Sequence, residues 1–382
     1  MNSLNYDCLM MIIKYLNLND QLSLYEATKG HSNHLNSSVF FAWKQQLCFE
    51  LNSENFLKFE EKPEMLDIFL SSTSATMQEL KLELVTKKFL KRWQNFTFPN
   101  MKTLEYSCDW DYDADKVIEI MIKLFPGLRC VKTHDGFHYD RLQKWSQLRK
   151  LELSDCCENL NEHEGPEMII KCQLLEEVTL SCDFHWPDIY DALMQLPKLR
   201  TFTYYVFDRD DILDVLLEKR GSDIHKITFH DCIWKHSMTT LCKLSHLHQL
   251  TLKEERFTGE ELCKLITNLR HLQRLDIIDH LVRLKKAKLW QAVASCPSLK
   301  ILNISGVQLH DECFEFSRCL MEETLKNRSQ PLALYCHNTY ENEKLIQRHF
   351  KHPNLKISFK LLEPENIGWC MVRLHLKPLN PS

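Results

Sequence analysis

A short apolar pattern recurs along most of this chain, and recurrence at a near-constant spacing constrains a fold more than any single residue can. The pattern is apolar, two residues, apolar, one residue, apolar. It occurs as Met101/Leu104/Tyr106, Leu128/Val131/Thr133, Leu148/Leu151/Leu153, Leu175/Val178/Leu180 and Leu199/Phe202/Tyr204. It continues as Ile224/Ile227/Phe229, Leu247/Leu250/Leu252, Leu272/Leu275/Ile277 and Leu299/Leu302/Ile304. Successive first positions lie 20 to 27 residues apart, and Met77/Leu80/Leu82 adds a unit 24 residues upstream. Pro99, Pro126, Pro197, Pro297 and Pro353 each precede the first apolar position of a unit by two residues. Proline disfavours helix in the residue before it and has no ladder donor, so it ends one helix and admits the next strand.

This template at this spacing is the signature of leucine-rich repeats. Each unit supplies a short strand whose apolar residues face inward, followed by a helix. The stretches 210–219 and 259–269 carry apolar residues at helical spacing. Neither element buries its apolar face alone, so neighbours must stack. The expectation is an α/β fold: a curved leucine-rich-repeat solenoid over 76–362 with a small all-α N-terminal domain over 1–45. Residues 46–75 read as a linker or N-terminal cap, and 363–382 as a C-terminal strand and tail. Leu355/Ile357/Phe359 and Val372/Leu374/Leu376 alternate as strands in this less regular end, where a capping unit is expected.

Composition narrows the function classes. The eight glycines are too scattered to write a GxGxxG, a P-loop or a nucleophile elbow. A net charge of −4 over 382 residues sets up no field that would recruit nucleic acid or an anionic membrane. Residues 1–14 have no basic n-region, and no apolar run approaches membrane-spanning length. The expected setting is cytoplasmic, nuclear or both, where the 16 cysteines serve as small buried hydrophobes. No cofactor and no catalytic residue is expected.

Residues 1–44 lack the repeat. Leu9, Ile12, Ile13 and Leu16 lie at helical spacing behind Asp7, and Asp20 precedes a second apolar set at Leu22, Leu24 and Ala27. Phe40, Phe41 and Trp43 form an aromatic cluster. Periodicity alone gives a small helical unit that needs the solenoid or a partner for stability. It also suits a plain helical cap on the solenoid.

The stretch Leu4-Asn5-Tyr6-Asp7-Cys8-Leu9-Met10-Met11-Ile12-Ile13-Lys14-Tyr15-Leu16 resembles the opening LPxExLxxIFxYL pattern of the F-box family. Asp20-Gln21-Leu22 resembles that family's second helix start, and Trp43 its late tryptophan. Asn5 stands in place of the proline, Asp7 in place of the glutamate, and 28–31 lacks the usual Cys-x-x-Trp. With the repeats, the chain is similar to the F-box/leucine-rich-repeat family. That resemblance implies a substrate-recognition adaptor of a cullin-type (SCF) ubiquitin ligase. Its partners would be a Skp adaptor, a cullin scaffold and a protein substrate, with the transfer chemistry on other subunits. It also implies that Leu4, Leu9, Ile12, Ile13, Leu16 and Leu22 supply the apolar core and adaptor-facing surface. A repeat scaffold with no ligase connection is the alternative.

Two clusters hold candidate metal ligands: Cys130/His134/His138 and His230/Cys232/His236. Neither has the paired spacing of a structural zinc site, so no metal is expected. The acidic, aromatic run Asp109-Trp110-Asp111-Tyr112-Asp113-Ala114-Asp115 suits a helix N-terminus. The basic run Arg283-Leu284-Lys285-Lys286-Ala287-Lys288 suits a solvated helix face.

Strand geometry places the residues between the apolar positions on the opposite, concave face. They run from Lys150/Glu152/Ser154 through Thr201/Thr203/Tyr205, Lys226/Thr228/His230 and Gln249/Thr251/Lys253 to Arg274/Asp276/Ile278. Such a face is where solenoids bind partners. Tyr205, with His230 and Lys253 expected in adjacent repeats, is the anchor candidate. Thr203, Thr228 and Thr251 complete the expected substrate surface.

Overall fold

The computed structural model describes the chain except residues 1–4, 31–32, 109–113, 135–138, 155–163, 182–186, 207–211, 234–235, 237, 280–287, 316–317, 327, 340–341 and 380–382. The contacts divide it into two compact units, 1–176 and 177–382. No described helix is long and apolar enough to cross a membrane.

The first unit opens with three helices, α1 (Tyr6–Tyr15), α2 (Leu18–Thr28) and α3 (Asn33–Gln45). Asn5 and Asn17 cap α1 and α2 by accepting from the backbone N–H of Cys8 and Asp20. The caps fix where each helix begins, and Leu9, Met10, Ile13, Leu22, Val39 and Trp43 close a core between them. Gln21 ties the three helices together. Its buried amide donates to the carbonyls of Ile13 and Leu16 at 3.1 and 3.0 Å, and its oxygen accepts from Trp43 Nε1 at 2.8 Å.

A parallel sheet follows: β1 (Cys48–Leu51), β2 (Glu79–Val85), β3 (Thr103–Cys108), β4 (Cys130–His134) and β5 (Lys150–Ser154), each paired with the next. The sheet begins earlier than the repeat pattern implies, because β1 lies in the stretch read as linker or cap. Leu80, Leu104, Val131 and Leu151 stand in one register row and are fully or nearly buried. This row is the inward face that the repeat pattern encodes.

The second unit holds β6 (Glu177–Leu180), β7 (Thr201–Tyr205), β8 (Ile224–His230), β9 (Gln249–Lys253), β10 (Arg274–Ile278), β11 (Ile301–Asn303), β12 (Leu332–Tyr335), β13 (Leu355–Ser358) and β14 (Met371–Leu376). Parallel pairing joins β6 to β7, and β8 through β13 in succession. Both units are leucine-rich-repeat solenoids of α/β class.

β7 and β8 do not pair directly. The C-terminal strand β14 lies between them, antiparallel to both. Its alternation explains the fit. Val372 is opposite Tyr204 and Phe229, and Leu374 is opposite Phe202 and Ile227. The strand therefore continues two existing core rows, with Val372 and Leu374 completely buried. The end of the chain, expected as a terminal strand and tail, is an interior strand of the second unit.

Successive repeats also share a backbone turn. Asp231, Glu254, Asp279, Gly306 and Asn338 all have positive φ, between 50° and 71°. Each lies two positions after the last apolar position of its repeat pattern or the matching core residue: Phe229, Leu252, Ile277, Ile304 and Cys336. Leu84, two residues after Leu82, does the same in the first unit. The backbone N–H of Asp231, Glu254, Asp279 and Gly306 donates across to the next repeat at 2.8–3.0 Å. The left-handed turn thus continues the inter-repeat ladder past the strand ends. Asp and Asn tolerate this region better than most residues. Gly306 is required there, since a Cβ would sit 2.0 Å from Asp279 Oδ1 and 3.0 Å from its Cα.

Candidate interaction surfaces

Three surfaces emerge: the outside of the N-terminal helices, the outer sheet face of the first unit, and that of the second.

On α1, Leu9 and Ile13 face the core, as does Leu22 on α2. These three, implied to be adaptor-facing, are interior residues of the folded helices. Ile12 and Leu16 are half-buried, and Leu4 lies outside the described residues. The apolar side chains that reach solvent are others. Met11 is 61% and Tyr15 87% exposed, one turn apart on the side of α1 away from its core. Tyr6 and Phe41 are also exposed and meet edge to face at 5.6 Å. Sequence reasoning missed them because Met and Tyr do not mark a face by themselves. The buried stripe at Leu9, Met10 and Ile13 locates them by opposition.

In the first unit, charged side chains pair laterally across the outer sheet face. Lys81 lies 2.7 Å from Glu50, 3.0 Å from Glu83 and 4.0 Å from Glu105, while Lys132 lies 3.8 Å from Glu105 and 3.6 Å from Glu152. Bonds to Glu50 and Glu83 hold the Lys81 ammonium above its ordinary range. A cleft of about 570 Å³ opens among the start of α2, β1 and β2, with Cys48 and Glu79 in its wall. Burial, then the bond to Glu79, pushes the Cys48 thiol up, the opposite of what a nucleophilic cysteine needs.

The second unit differs because its own chain crosses this face. After β13, residues 359–370 run back over the sheet before entering β14. His337 Nδ1 is 3.3 Å from the Phe359 carbonyl, and the Asn303 amide donates to the Leu362 carbonyl at 3.4 Å. His230 Nδ1 lies 3.1 Å from the Ile367 carbonyl. Between these contacts, Glu365 meets Lys226 at 2.6 Å, Arg373 at 3.1 Å and His375 at 2.9 Å. Burial disfavours its charge, but the bonds from His375 and Lys226 outweigh that and hold the carboxyl well below the usual range.

This strap changes the standing of the expected substrate residues. Thr203, Thr228 and Thr251 are at most 1% exposed, so they are interior positions rather than a solvated polar face. Thr203 bonds Arg373 Nε at 2.8 Å, and Thr251 bonds Asp276, which also receives Arg274 and Asn303. Tyr205 is half-buried and not adjacent to His230: Met371 of β14 is opposite both. His230 and Lys253 are neighbours, as expected, and Glu254 lies 3.2 Å from one and 3.8 Å from the other. The expected trio is divided by a strand whose alternation was legible but whose destination was not.

The candidate chemical clusters disperse. His134 faces Glu105 at 3.4 Å, while His138 lies outside the described residues. Cys232 directs its Sγ to the Met371 carbonyl, and His236 packs edge to face on Phe229. Among the described residues, no three His, Cys, Asp or Glu side chains are placed to hold a metal. Residues 109–113 and 283–287, which hold most of the acidic and basic runs, are likewise outside them. Several cysteines pack as apolar groups, and burial pushes Cys296 and Cys336 up to about 12.

Glu255 occupies the slot where leucine-rich repeats carry an Asn or Cys. It is 1% exposed and accepts from the backbone N–H groups of Cys232 and Ile233 in the preceding repeat at 3.0–3.1 Å. Burial pushes its carboxyl up to about 7, against those two bonds and with a further push from Asp231.

No family model and no curated protein matches the chain. Among solved structures, it is similar to a chain of the yeast Rad7–Elc1 complex, at 10% identity over 93% of each chain with a TM-score of 0.33. It is similar to a chain of the TLR13–ssRNA13 complex, at 13% identity over 75% of this chain and 40% of that one, with a TM-score of 0.31. It is also similar to a chain of the Toll–Spätzle complex of Drosophila, at 12% identity over 77% and 30%, with a TM-score of 0.26. The chain thus spans less than half the length of the TLR13 and Toll chains. The repeat assignment rests on the register and spacing above.

Proposed function

We propose that this protein is a non-enzymatic substrate-recognition adaptor of a cullin-type ubiquitin ligase, working in the cytoplasm, the nucleus or both. Its N-terminal helices dock on a Skp adaptor, and its repeats hold a protein substrate. One observation carries the docking half: Gln21 and Trp43 tie the three-helix segment together, yet it leaves Met11, Tyr15, Tyr6 and Phe41 in solvent. Exposed aromatics and Met beside one another are the composition of a protein interface. The resemblance of residues 4–43 to an F-box supplies the partner's identity.

Met11→Asp with Tyr15→Asp tests this, because neither side chain is in the helical core. Purified Skp adaptor should bind the wild-type chain and bind the double variant at least ~10-fold more weakly, about 1.4 kcal/mol or more, with helical content unchanged. Absence of binding by the wild type would overturn the ligase reading and leave a repeat scaffold.

A further inference from the structure

The strap 359–370 occupies the outer face of the second unit. The sheet holds it through backbone carbonyls, at Phe359, Leu362 and Ile367, and through one carboxylate, Glu365. The carbonyl contacts are indifferent to side-chain identity. Glu365 is the specific element, gathered by Lys226 of β8 and by Arg373 and His375 of β14. Lys226, His230 and Asn303 lie on strands of the sheet, and His337 lies two residues beyond the end of β12. Ile367 is buried, whereas Leu361 and Trp369 point outward, so the strap fits along one edge only.

We propose that this face is a binding groove for an extended, acidic segment of a partner protein, held closed by the chain's own strap as an intramolecular stand-in. A competing segment would present a carboxylate to Lys226, Arg373 and His375, and main-chain carbonyls to His230, Asn303 and His337. Charge complementarity selects it. An extended backbone is required because strap contacts from His337, beyond the end of β12, to His230 at the end of β8 are made by only nine residues, Phe359 to Ile367. β14 stays inserted throughout, since its apolar residues complete the core. The inference deepens the substrate-recognition half of the proposed function, and its test needs no adaptor, so the two readings fail separately.

The test uses the full chain, as wild type and as Glu365→Ala and Glu365→Gln variants. The probes are a synthetic peptide of residues 359–368 and the same peptide with Gln in place of Glu365. Limited proteolysis within residues 359–370 should speed up at least ~10-fold in both variants, while β14 keeps its protection from hydrogen exchange. The Glu peptide should bind the Glu365→Ala chain about 10-fold or more tighter than the Gln peptide, and Lys226→Ala should remove that preference. Excess Glu peptide should also speed proteolysis of the strap in the wild-type chain. Unchanged strap protection in the variants, equal affinity for the two peptides, or no effect of excess peptide on the wild type would each overturn the proposal.

Discussion

Replacing Glu255 by Gln should make the second unit more stable above neutral pH. The native carboxyl titrates at about 7, and the same group in an unfolded chain near 4.5. The folded state therefore holds a proton that the unfolded chain gives up between those values. The stability this contributes is complete below pH ~4.5 and is lost as pH rises through about 7. The displacement corresponds to about 3 kcal/mol. Gln keeps the acceptor for the Cys232 and Ile233 N–H groups but has no charge to desolvate. Urea denaturation should show the two proteins within ~1 kcal/mol of each other near pH 5, and the Gln variant ahead by about 2–3 kcal/mol at pH 8.5. Comparing the two at each pH removes the shared titration of the histidines. A Gln variant whose stability follows pH as the wild type's does, or falls below it at pH 8.5, would refute the assignment of a protonated ladder residue.

Two other changes address the fold. Leu374→Ala empties a fully buried site where β14 meets Phe202 and Ile227, and should cost about 2–5 kcal/mol in denaturant; a loss under ~1 kcal/mol would mean that β14 is not part of the core. Gly306→Ala places a Cβ against Asp279 in a left-handed turn and should cost more than ~1 kcal/mol, whereas Asn338→Gly, at the same repeat position, should be neutral or mildly stabilising; equal effects in thermal melts would remove the steric argument.

Much of the repeat architecture was legible because its signal is periodic. The rows at Leu80/Leu104/Val131/Leu151 and Ile227/Leu250/Leu275/Leu302 recur in the sequence at the spacing of the stacked strands. The left-handed turn is equally periodic in space, but its positions Leu84, Asp231, Glu254, Asp279, Gly306 and Asn338 span five residue types. It is a backbone requirement that several side chains tolerate. The N-terminal helices were legible as amphipathic segments, yet the resemblance implied a mixed list of core and surface positions. Only the packing of Leu9, Ile13 and Leu22 inward separates structural residues from the exposed Met11 and Tyr15.

The polar face expected from the repeats differs from the observed one for one physical reason. Alternation along a strand says which residues share a side, and says nothing about which strand lies next to it. The pattern of 371–376 identifies a strand with Val372, Leu374 and Leu376 on one side, and that much is present in the structure. Its pairing with 201–205 and 224–230 spans about 140 to 175 residues of sequence, and no local signal encodes a contact at that distance. Once β14 is inserted, its other side must bear polar residues to match the outer face, and it bears Arg373 and His375. Arg373 joins Lys226 of β8 to bring two cationic side chains together, with His375 beside them. Glu365 is the residue that offsets this charge. The cationic site and its intramolecular carboxylate are thus both products of the C-terminal segment. A recognition surface assigned by extrapolating repeat to repeat would miss the part of it that is not a repeat.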